Sequence, residues 1–268
     1  MVGAGHMGRQ IAFHCAAKSN CVVYLSDIDE RSLESAQVFC RMEAAKRENS
    51  EEILGRLILL RGFTPENTAV DLVIETVTES LEKKWEVFKA LDTLCPLDTI
   101  LATNSSSICV SKIEVAVSEQ RRVQVANMHF FPVIWERPMI ELLGGTNTSS
   151  EVIFILREFA SSIGLKPIIV QKENPGFVFN YVWQAIKRSC LELVDMGVAS
   201  PEDIDAAWKI AMGIPVGPFV VMDMVGLDVV LAVFRNLNEK PPQVLLQMVA
   251  EGKLGRKTSV GFFQYPAA

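Results

Sequence analysis

The chain has 268 residues, of which 49% are hydrophobic and 22% charged, and its formal net charge at pH 7 is −6. This balance predicts one large or two modest globular domains and excludes a disordered chain. No cluster of Lys and Arg suggests a nucleic-acid or anionic-membrane surface, and no apolar run reaches the ~18 residues that a membrane span requires.

The 6 cysteines are scattered, without CxxC spacing. In a chain of this length they are typical of buried thiols in a reducing compartment, and they predict neither a disulfide framework nor a zinc site. With only 3 histidines and no clustered ligands, we expect no bound metal. No signal-peptide pattern is present. The sequence therefore predicts a cytoplasmic protein that binds neither nucleic acid nor membrane.

The first part of the chain, residues 1–172, alternates short apolar runs with helical patterns. Strands that alternate with helices predict βαβ units in a Rossmann-type, doubly wound and mostly parallel sheet. The predicted strands are 21–27, 70–77, 99–106, 122–131 and 166–171, and the predicted helices are 6–18, 30–47, 79–95 and 149–163.

The chain begins with "MVGAGHMG", in which Gly3, Gly5 and Gly8 form the GxGxxG pattern and lead into a helix. The first glycine permits a tight turn, the second lets backbone approach a pyrophosphate, and the third lets the helix pack close to the sheet. Only "MV" precedes the motif, so we expect the first strand to be trimmed or very short. A glycine-rich turn without a ligand is the alternative interpretation.

The second predicted strand ends at Asp27, 19 residues after Gly8. An acid at this distance is expected to accept hydrogen bonds from an adenosine ribose and to repel a 2′-phosphate, which favours NAD over NADP. Arg31 lies close enough to weaken that preference. The alternative role for Asp27 is the N-cap of the next helix.

His129 ends an apolar predicted strand, and Glu141 follows 12 residues later inside "MIELL". A turn through Pro132 and Pro138 would bring the second strand back beside the first. A neutral imidazole there can accept a substrate proton, while the carboxylate fixes its tautomer. The alternative is a hydrogen-bonded core histidine and a glutamate on an edge strand.

After "ENPGF" the strands stop, and residues 173–268 predict an all-helical domain. In one of its helices Ser200 is a plausible N-cap, and Pro201 occupies the first helical position. The helices are more apolar than one small bundle can bury, which predicts a homodimer. The predicted helices are 178–197, 200–213, 220–236 and 241–251.

The motifs together resemble the L-3-hydroxyacyl-CoA dehydrogenase family along nearly the whole chain. They are, in order, "GAGHMG", "DLVIETVTESLEKKWEVFKALD", "ATNSSS", "HFF…E", "ENPGFVFN", "EDIDAAW…GIPVGPF…DMVGLD" and "GKLGRKTSVGFFQY". The resemblance implies an NAD-dependent oxidoreductase that interconverts an L-3-hydroxyacyl-CoA and its 3-oxo form. It also implies that residues 173–268 bind substrate and form the dimer.

By that resemblance His129 is the catalytic acid/base, Glu141 is its partner, and Ser106 and Asn180 hold the substrate oxygen. For the last two, a turn serine and a polar residue at a helix start are the alternatives. Glu79 and Lys84 are implied to line the nicotinamide cleft, with an exposed salt-bridging helix as the alternative. The implied cofactor-binding residues are Gly3, Gly5, His6, Met7, Gly8, Asp27, Glu79, Lys84 and Asn104.

The chain departs from the family pattern at several positions. Pro132 replaces an expected Asn, and Tyr181 replaces an expected Arg. If these side chains lie in the substrate cleft, Trp135 would narrow the cleft and Arg137 could bind a free carboxylate. The segment 28–70 is short, and its basic residues are either contacts for CoA phosphates or a solvated helix surface: Lys46, Arg47, Arg56 and Arg61.

Two other functions therefore stay open. In the first, the same hydride chemistry acts on a 3-hydroxy acid or dicarbonyl compound that lacks CoA. In the second, the chain is a catalytically silent NAD-binding module. The presence of His129, Glu141, Ser106 and Asn180 together argues against the silent module.

Overall fold

The computed structural model describes residues 1–64 and 67–266. The chain divides into two compact units, Met1–Val178 and Phe179–Ala268. The first unit is an α/β structure and the second is helical, as the sequence predicts.

The sheet of the first unit is almost entirely parallel. Its strands are β1 Val23–Asp27, β2 Leu57–Arg61, β3 Leu72–Glu75, β4 Ile100–Thr103, β5 Val125–Phe130, β6 Met139–Gly144 and β7 Lys166–Ile169. Strands β3 to β7 lie in sequence order, β1 pairs with β2, and only the β5–β6 pair is antiparallel. The sequence prediction missed β2, whose five residues follow a charged helical segment directly.

The place of a first strand is taken by Val2. This residue forms parallel bridges to both Ser26 and Glu75, and so joins β1 to β3. Its N–H donates to the Ile74 carbonyl at 3.0 Å, and the Gly3 N–H donates to the Ser26 carbonyl at 2.8 Å. The glycine turn is therefore fixed to the sheet by one bridging residue.

Helices cover both faces of this sheet. One buried cluster contains Phe13, Leu25 and Met128, and the other contains Phe88 and Leu101. A parallel sheet that is buried on both faces requires such apolar strands. The helices are α1 His6–Lys18, α2 Glu30–Ala44, α3 Ser50–Gly55, α4 Leu81–Leu94, α5 Val110–Ile113 and α6 Ser150–Ser162.

The second unit contains five helices among its described residues. As predicted, the Ser200 hydroxyl caps α8 by accepting the Asp203 N–H at 3.1 Å, with Pro201 in the first turn. The prediction of one helix over 220–236 is wrong, because Gly226 at φ 103° separates α9 from α10. The helices are α7 Phe179–Asp195, α8 Pro201–Met212, α9 Pro218–Val225, α10 Leu227–Asn236 and α11 Gln243–Ala250.

Within the described residues, no helix combines the length and the apolar composition that would let it cross a membrane.

Candidate active site

The glycine turn lies at the carboxyl end of the sheet, at the start of α1. Gly3 has φ 100°, a conformation that side chains other than glycine rarely adopt. A Cβ on Gly8 would lie 1.9 Å from the Gly3 carbonyl oxygen, whereas one on Gly5 would meet nothing within 4 Å. The space in front of Gly5 and the uncapped N-terminus of α1 suit a pyrophosphate, because free N–H groups there attract anions.

Two residues that the sequence analysis missed support this turn. The Thr76 hydroxyl donates to the carbonyls of Val2 and Gly3 at 3.1 and 3.0 Å. Gln10 Nε2 lies 2.9 Å from the Nε2 atom of His6, and Gln10 Oε1 accepts the Val133 N–H at 3.0 Å. No local pattern signals the contacts of Thr76 or the contact of Gln10 with Val133, since they join residues 73 to 123 positions apart.

Asp27 ends β1 and faces the glycine turn. Its Oδ2 accepts the Ala4 N–H at 2.7 Å, and its Oδ1 accepts the Asp29 N–H at 2.9 Å. The N-cap of α2 is Asp29, whose side chain accepts the Arg31 N–H, so Asp27 does not cap this helix. The acid is held beside the turn, where its remaining lone pairs can accept ribose hydroxyls.

His129 and Glu141 are directly opposite one another in the antiparallel β5–β6 pair. The Nδ1 atom of His129 lies 2.8 Å from Oε2 of Glu141, and both side chains are buried. Oε1 of Glu141 accepts the Val178 N–H at 3.1 Å. The twelve-residue spacing is therefore the register of a hairpin, which places the carboxylate against one nitrogen of the imidazole.

The other ring nitrogen of His129, Nε2, has no hydrogen bond to the described residues. The ring packs against Phe131 and Phe177, at centroid distances of 4.6 and 5.3 Å. These contacts fix the ring plane, and the carboxylate favours the tautomer with the proton on Nδ1. The arrangement can present Nε2 as a proton acceptor.

Ser106 and Asn104 lie on the loop after β4. Asn104 Oδ1 accepts the N–H of Phe130, the neighbour of His129, at 2.9 Å. Ser106 is exposed, and its N–H donates to Glu79 at 3.1 Å. The structure therefore brings the loop that carries Asn104 and Ser106 together with the strand that carries His129.

Lys84 is only 1% exposed, unlike a lysine of a solvated helix. Its ammonium contacts Glu75 Oε1 and Oε2 at 2.9 and 3.0 Å and Glu79 Oε2 at 3.3 Å. Glu75 is completely buried and also accepts the Thr103 hydroxyl at 2.7 Å. Glu75 was not predicted from the sequence, although a glutamate at the end of an apolar strand requires a buried partner.

The remaining predicted site residues are His6, Met7 and Asn180. His6 is exposed at the first position of α1, and Met7 packs against the core of the first unit. Asn180 lies half-buried in the first turn of α7 in the second unit, followed by the exposed Tyr181. The role of Asn180 stays a prediction.

Several residues named as departures have structural partners. Trp135 stacks on Phe39 of α2 at 6.3 Å, while Arg137 is exposed. Lys46 pairs with Glu43 at 2.7 Å. Arg56 pairs with Glu52 and also donates to the Ala16 carbonyl at 3.1 Å. Lys46 and Arg56 thus already have partners within the first unit.

Across the described residues, no group of three or more His, Cys, Asp or Glu side chains is arranged to hold a metal ion. A glycine turn at a helix N-terminus, with an acid at the end of the next strand, defines a dinucleotide-binding protein of the Rossmann class.

Comparison with known proteins gives the family. The family model "3-hydroxyacyl-CoA dehydrogenase, NAD binding domain" matches residues 1–174, and the model of the C-terminal domain of the same family matches residues 176–265. The chain belongs to the 3-hydroxyacyl-CoA dehydrogenase family, whose members are NAD-dependent oxidoreductases.

Three relatives illustrate the range of the family. The 3-hydroxybutyryl-CoA dehydrogenase of Clostridioides difficile is 38% identical over 203 residues, which cover 73% of this chain and 71% of that protein. The mitochondrial hydroxyacyl-coenzyme A dehydrogenase of Homo sapiens is 32% identical, with coverage of 99% and 90%. The solved structure of a diketoreductase, which acts in the dual catalysis of dicarbonyl compounds, has a TM-score of 0.90 at 32% identity, with coverage of 98% and 97%.

Proposed function

We propose that this protein interconverts an L-3-hydroxyacyl-CoA and the corresponding 3-oxoacyl-CoA, with His129 as the general acid/base. The observation that carries the proposal is the buried contact of 2.8 Å between Nδ1 of His129 and Oε2 of Glu141, which leaves Nε2 unpaired among the described residues. The family and two of the relatives above provide the substrate class.

The chemistry follows from the two ends of the imidazole. In oxidation, Nε2 of His129 accepts the proton of the 3-hydroxyl group while the hydride leaves the same carbon. Glu141 holds the ring in the tautomer whose Nε2 lone pair is free, and it offsets the charge that the ring acquires. In reduction, the same nitrogen returns the proton to the oxygen. NAD, when bound, takes or supplies the hydride.

Ser106 and Asn180 are proposed to hold the substrate C3 oxygen. A hydroxyl and an amide N–H can both donate to an oxygen on which negative charge develops during reduction. We propose that residues 1–172 bind NAD and that residues 173–268 bind substrate and form a homodimer. Ile210 and Met212 are large apolar side chains that are exposed in the single chain, which supports a dimer that covers them. A measurement of the molecular mass in solution tests this proposal.

The dinucleotide residues are proposed from the same geometry. Gly3, Gly5 and Gly8 would form the pyrophosphate turn, with Asp27 at the ribose. His6, Met7, Glu79, Lys84 and Asn104 occupy the remaining positions that the family resemblance implies.

A second candidate substrate is a dicarbonyl compound without CoA. The high structural similarity to the diketoreductase favours it, as do the ion pairs that occupy Lys46 and Arg56. The hydride and proton steps would be unchanged.

The deciding experiment compares substrates under identical conditions. Loss of NADH absorbance is followed with acetoacetyl-CoA, with free acetoacetate and with a small diketone. We expect kcat/KM for the thioester to exceed the other two by at least ~100-fold, because CoA supplies remote binding energy. Equal or higher values for the diketone would transfer the proposal to the second candidate, and no NADH oxidation with any of them would refute both.

A further inference from the structure

The loop that carries Ser106 is held by contacts on several sides; we name residues 104–107 the serine loop. Asn127 Nδ2 in β5 donates to the Ser105 carbonyl at 2.9 Å, and the Ser105 N–H donates to Thr103 Oγ1 at 3.1 Å. With the contact from Asn104 to Phe130, these bonds tie the base of the loop to β4 and β5.

Glu79 holds the tip of the same loop. Its Oε1 accepts the hydroxyls of Ser105 and Ser107 at 2.6 and 2.8 Å. The same atom accepts the N–H groups of Ser106 and Ser107, each at 3.1 Å. Among the three hydroxyls of the serine loop, only that of Ser106 has no hydrogen-bond partner in the described residues. One carboxylate oxygen thus engages both neighbours and leaves the middle hydroxyl available.

The charge on Glu79 is maintained by Lys84. Burial by itself raises the pKa of Glu79, but the Lys84 ammonium and the hydroxyls of Ser105 and Ser107 outweigh it, and the pKa lies below its ordinary value. The carboxylate therefore stays ionised near neutral pH. Hydrogen bonds to an ionised acceptor are about twice as strong as neutral ones, which suits an atom that orders several donors.

We propose that Glu79 is a positioning residue, whose carboxylate holds the serine loop in the conformation that presents the Ser106 hydroxyl to the substrate oxygen. The inference rests on the proposed role of Ser106. It adds to the cofactor contact that the family resemblance implies for Glu79, and it assigns Lys84 the task of keeping the Glu79 carboxylate charged and in place.

The first test measures the loop without substrate. In Glu79→Gln, we expect the amide hydrogens of Ser106 and Ser107 to exchange at least about tenfold faster, because several charge-assisted bonds are lost. Exchange in β4, at Leu101, should stay unchanged. The matched control is Glu86→Gln on the exposed face of α4, where the carboxylate pairs with Lys83, and it should leave the serine loop unaffected.

The second test asks whether Glu79 acts through Ser106. We expect Glu79→Gln to lower kcat about tenfold through the serine loop, whereas any rise in the KM for NADH reports separately on the cofactor contact. In a Ser106→Ala background, the same substitution should cost less than about threefold, since the hydroxyl that it positions is gone. Should Glu79→Gln not fold, Ser107→Ala removes one of the four donors to Glu79 Oε1, the Ser107 hydroxyl, and is expected to speed exchange at Ser106 about threefold.

Unchanged exchange at Ser106 in Glu79→Gln would overturn the inference, as would fully additive losses in the double variant. A rise in the KM for NADH without a change in exchange would identify Glu79 as a cofactor contact alone. These outcomes are separable from the proposed function. If no substrate were turned over, the exchange result would still report on the loop, and if exchange were unaltered, wild-type turnover would still stand.

Discussion

Carboxylates that accept several hydrogen bonds organise both units, but with opposite results. In the first unit, Glu141 and Glu79 bind their neighbours and leave two polar atoms available, Nε2 of His129 and the hydroxyl of Ser106. In the second unit, Asp205 accepts the N–H groups of Phe219 and Val220 at 2.8 and 3.1 Å. That carboxylate caps the start of α9 and presents no reactive group.

Asp223 repeats the second case. It accepts the N–H groups of Phe262 and Phe263 and the hydroxyl of Tyr265, each at 3.0 Å. A Cβ on Gly261 would lie 2.1 Å from Asp223 Oδ1, so the glycine makes room for this contact. A motif rich in acids and glycines is therefore structural when the carboxylate accepts only from backbone N–H groups and an anchoring hydroxyl that have no further polar atom to offer. It is a candidate active site when a residue that is hydrogen-bonded to the carboxylate keeps a second polar atom without a hydrogen bond to the described residues, as His129 and Ser106 do.

The largest effect should come from the unpaired nitrogen. We expect His129→Gln to lower kcat at least ~100-fold, because the amide cannot act as a general acid/base. The thermal midpoint should fall by no more than a few degrees, since glutamine can still donate to Glu141. Steady-state kinetics with the best substrate and a thermal melt check this. Near-normal turnover in a folded variant would remove His129 from the mechanism and break the comparison.

Asp223→Asn probes the other kind of carboxylate. An asparagine offers one acceptor oxygen where three donors converge, so we expect a loss of about 1–3 kcal/mol in the free energy of unfolding. Burial of the charged Asp223 carboxylate is itself unfavourable, and it raises the pKa of this group. The neutral asparagine avoids that cost, which limits the loss. Urea unfolding followed by tryptophan fluorescence measures it, with the exposed Glu202→Gln as the control.

The folded Asp223→Asn protein should keep kcat within about twofold of the parent, since this carboxylate only holds the chain together. A large loss of turnover with unchanged stability would mean that Asp223 takes part in the reaction, and the distinction between the two kinds of carboxylate would fail.

The sequence alone predicts one side of this comparison well. The βαβ order follows from alternating apolar runs and helical patterns, and the spacing of His129 and Glu141 is short enough for a hairpin register to follow from two strands and a turn. Their direct pairing in β5 and β6 needs no contact between distant parts of the chain. Their catalytic role stays a prediction.

What could not be predicted depends on distant contacts. The bonds from Glu79 to the serine loop join residues 26 to 28 positions apart, and "ESLEKKWE" gives no sign that Lys84 is buried. The break at Gly226 was missed for a related reason. An isolated glycine is tolerated in a helix, and only the backbone conformation decides whether it ends one.

Lys187 sharpens the comparison, because it is a buried polar group of the second unit without a hydrogen bond to the described residues. It is 5% exposed on α7. Burial lowers its pKa to about 8, while the nearby Glu239 opposes the shift. Glu239 itself accepts from Gln184 at 3.0 Å and pairs with Arg188 at 3.6 Å. If an unpaired polar atom always marked function, Lys187 would be a catalytic candidate.

We expect instead that the Lys187 ammonium lowers the free energy of unfolding. Between pH 8 and the ordinary value of 10.5, the unfolded chain binds the proton more tightly than the folded one, so the free energy of unfolding should rise with pH across this window. Lys187→Met should remove that rise and add about 1–2 kcal/mol at pH 7, because no charge is then buried. Urea unfolding at several pH values measures both effects.

The exposed Lys209→Met in α8 is the matched control and should change neither the pH dependence nor the stability. Turnover of Lys187→Met should stay within about twofold of the parent. A loss of turnover together with a gain in stability would instead be the signature of a group kept at the expense of stability for function. In that case an unpaired polar atom would mark a working residue in both units, and the second unit would contribute an ionisable group of its own to the reaction.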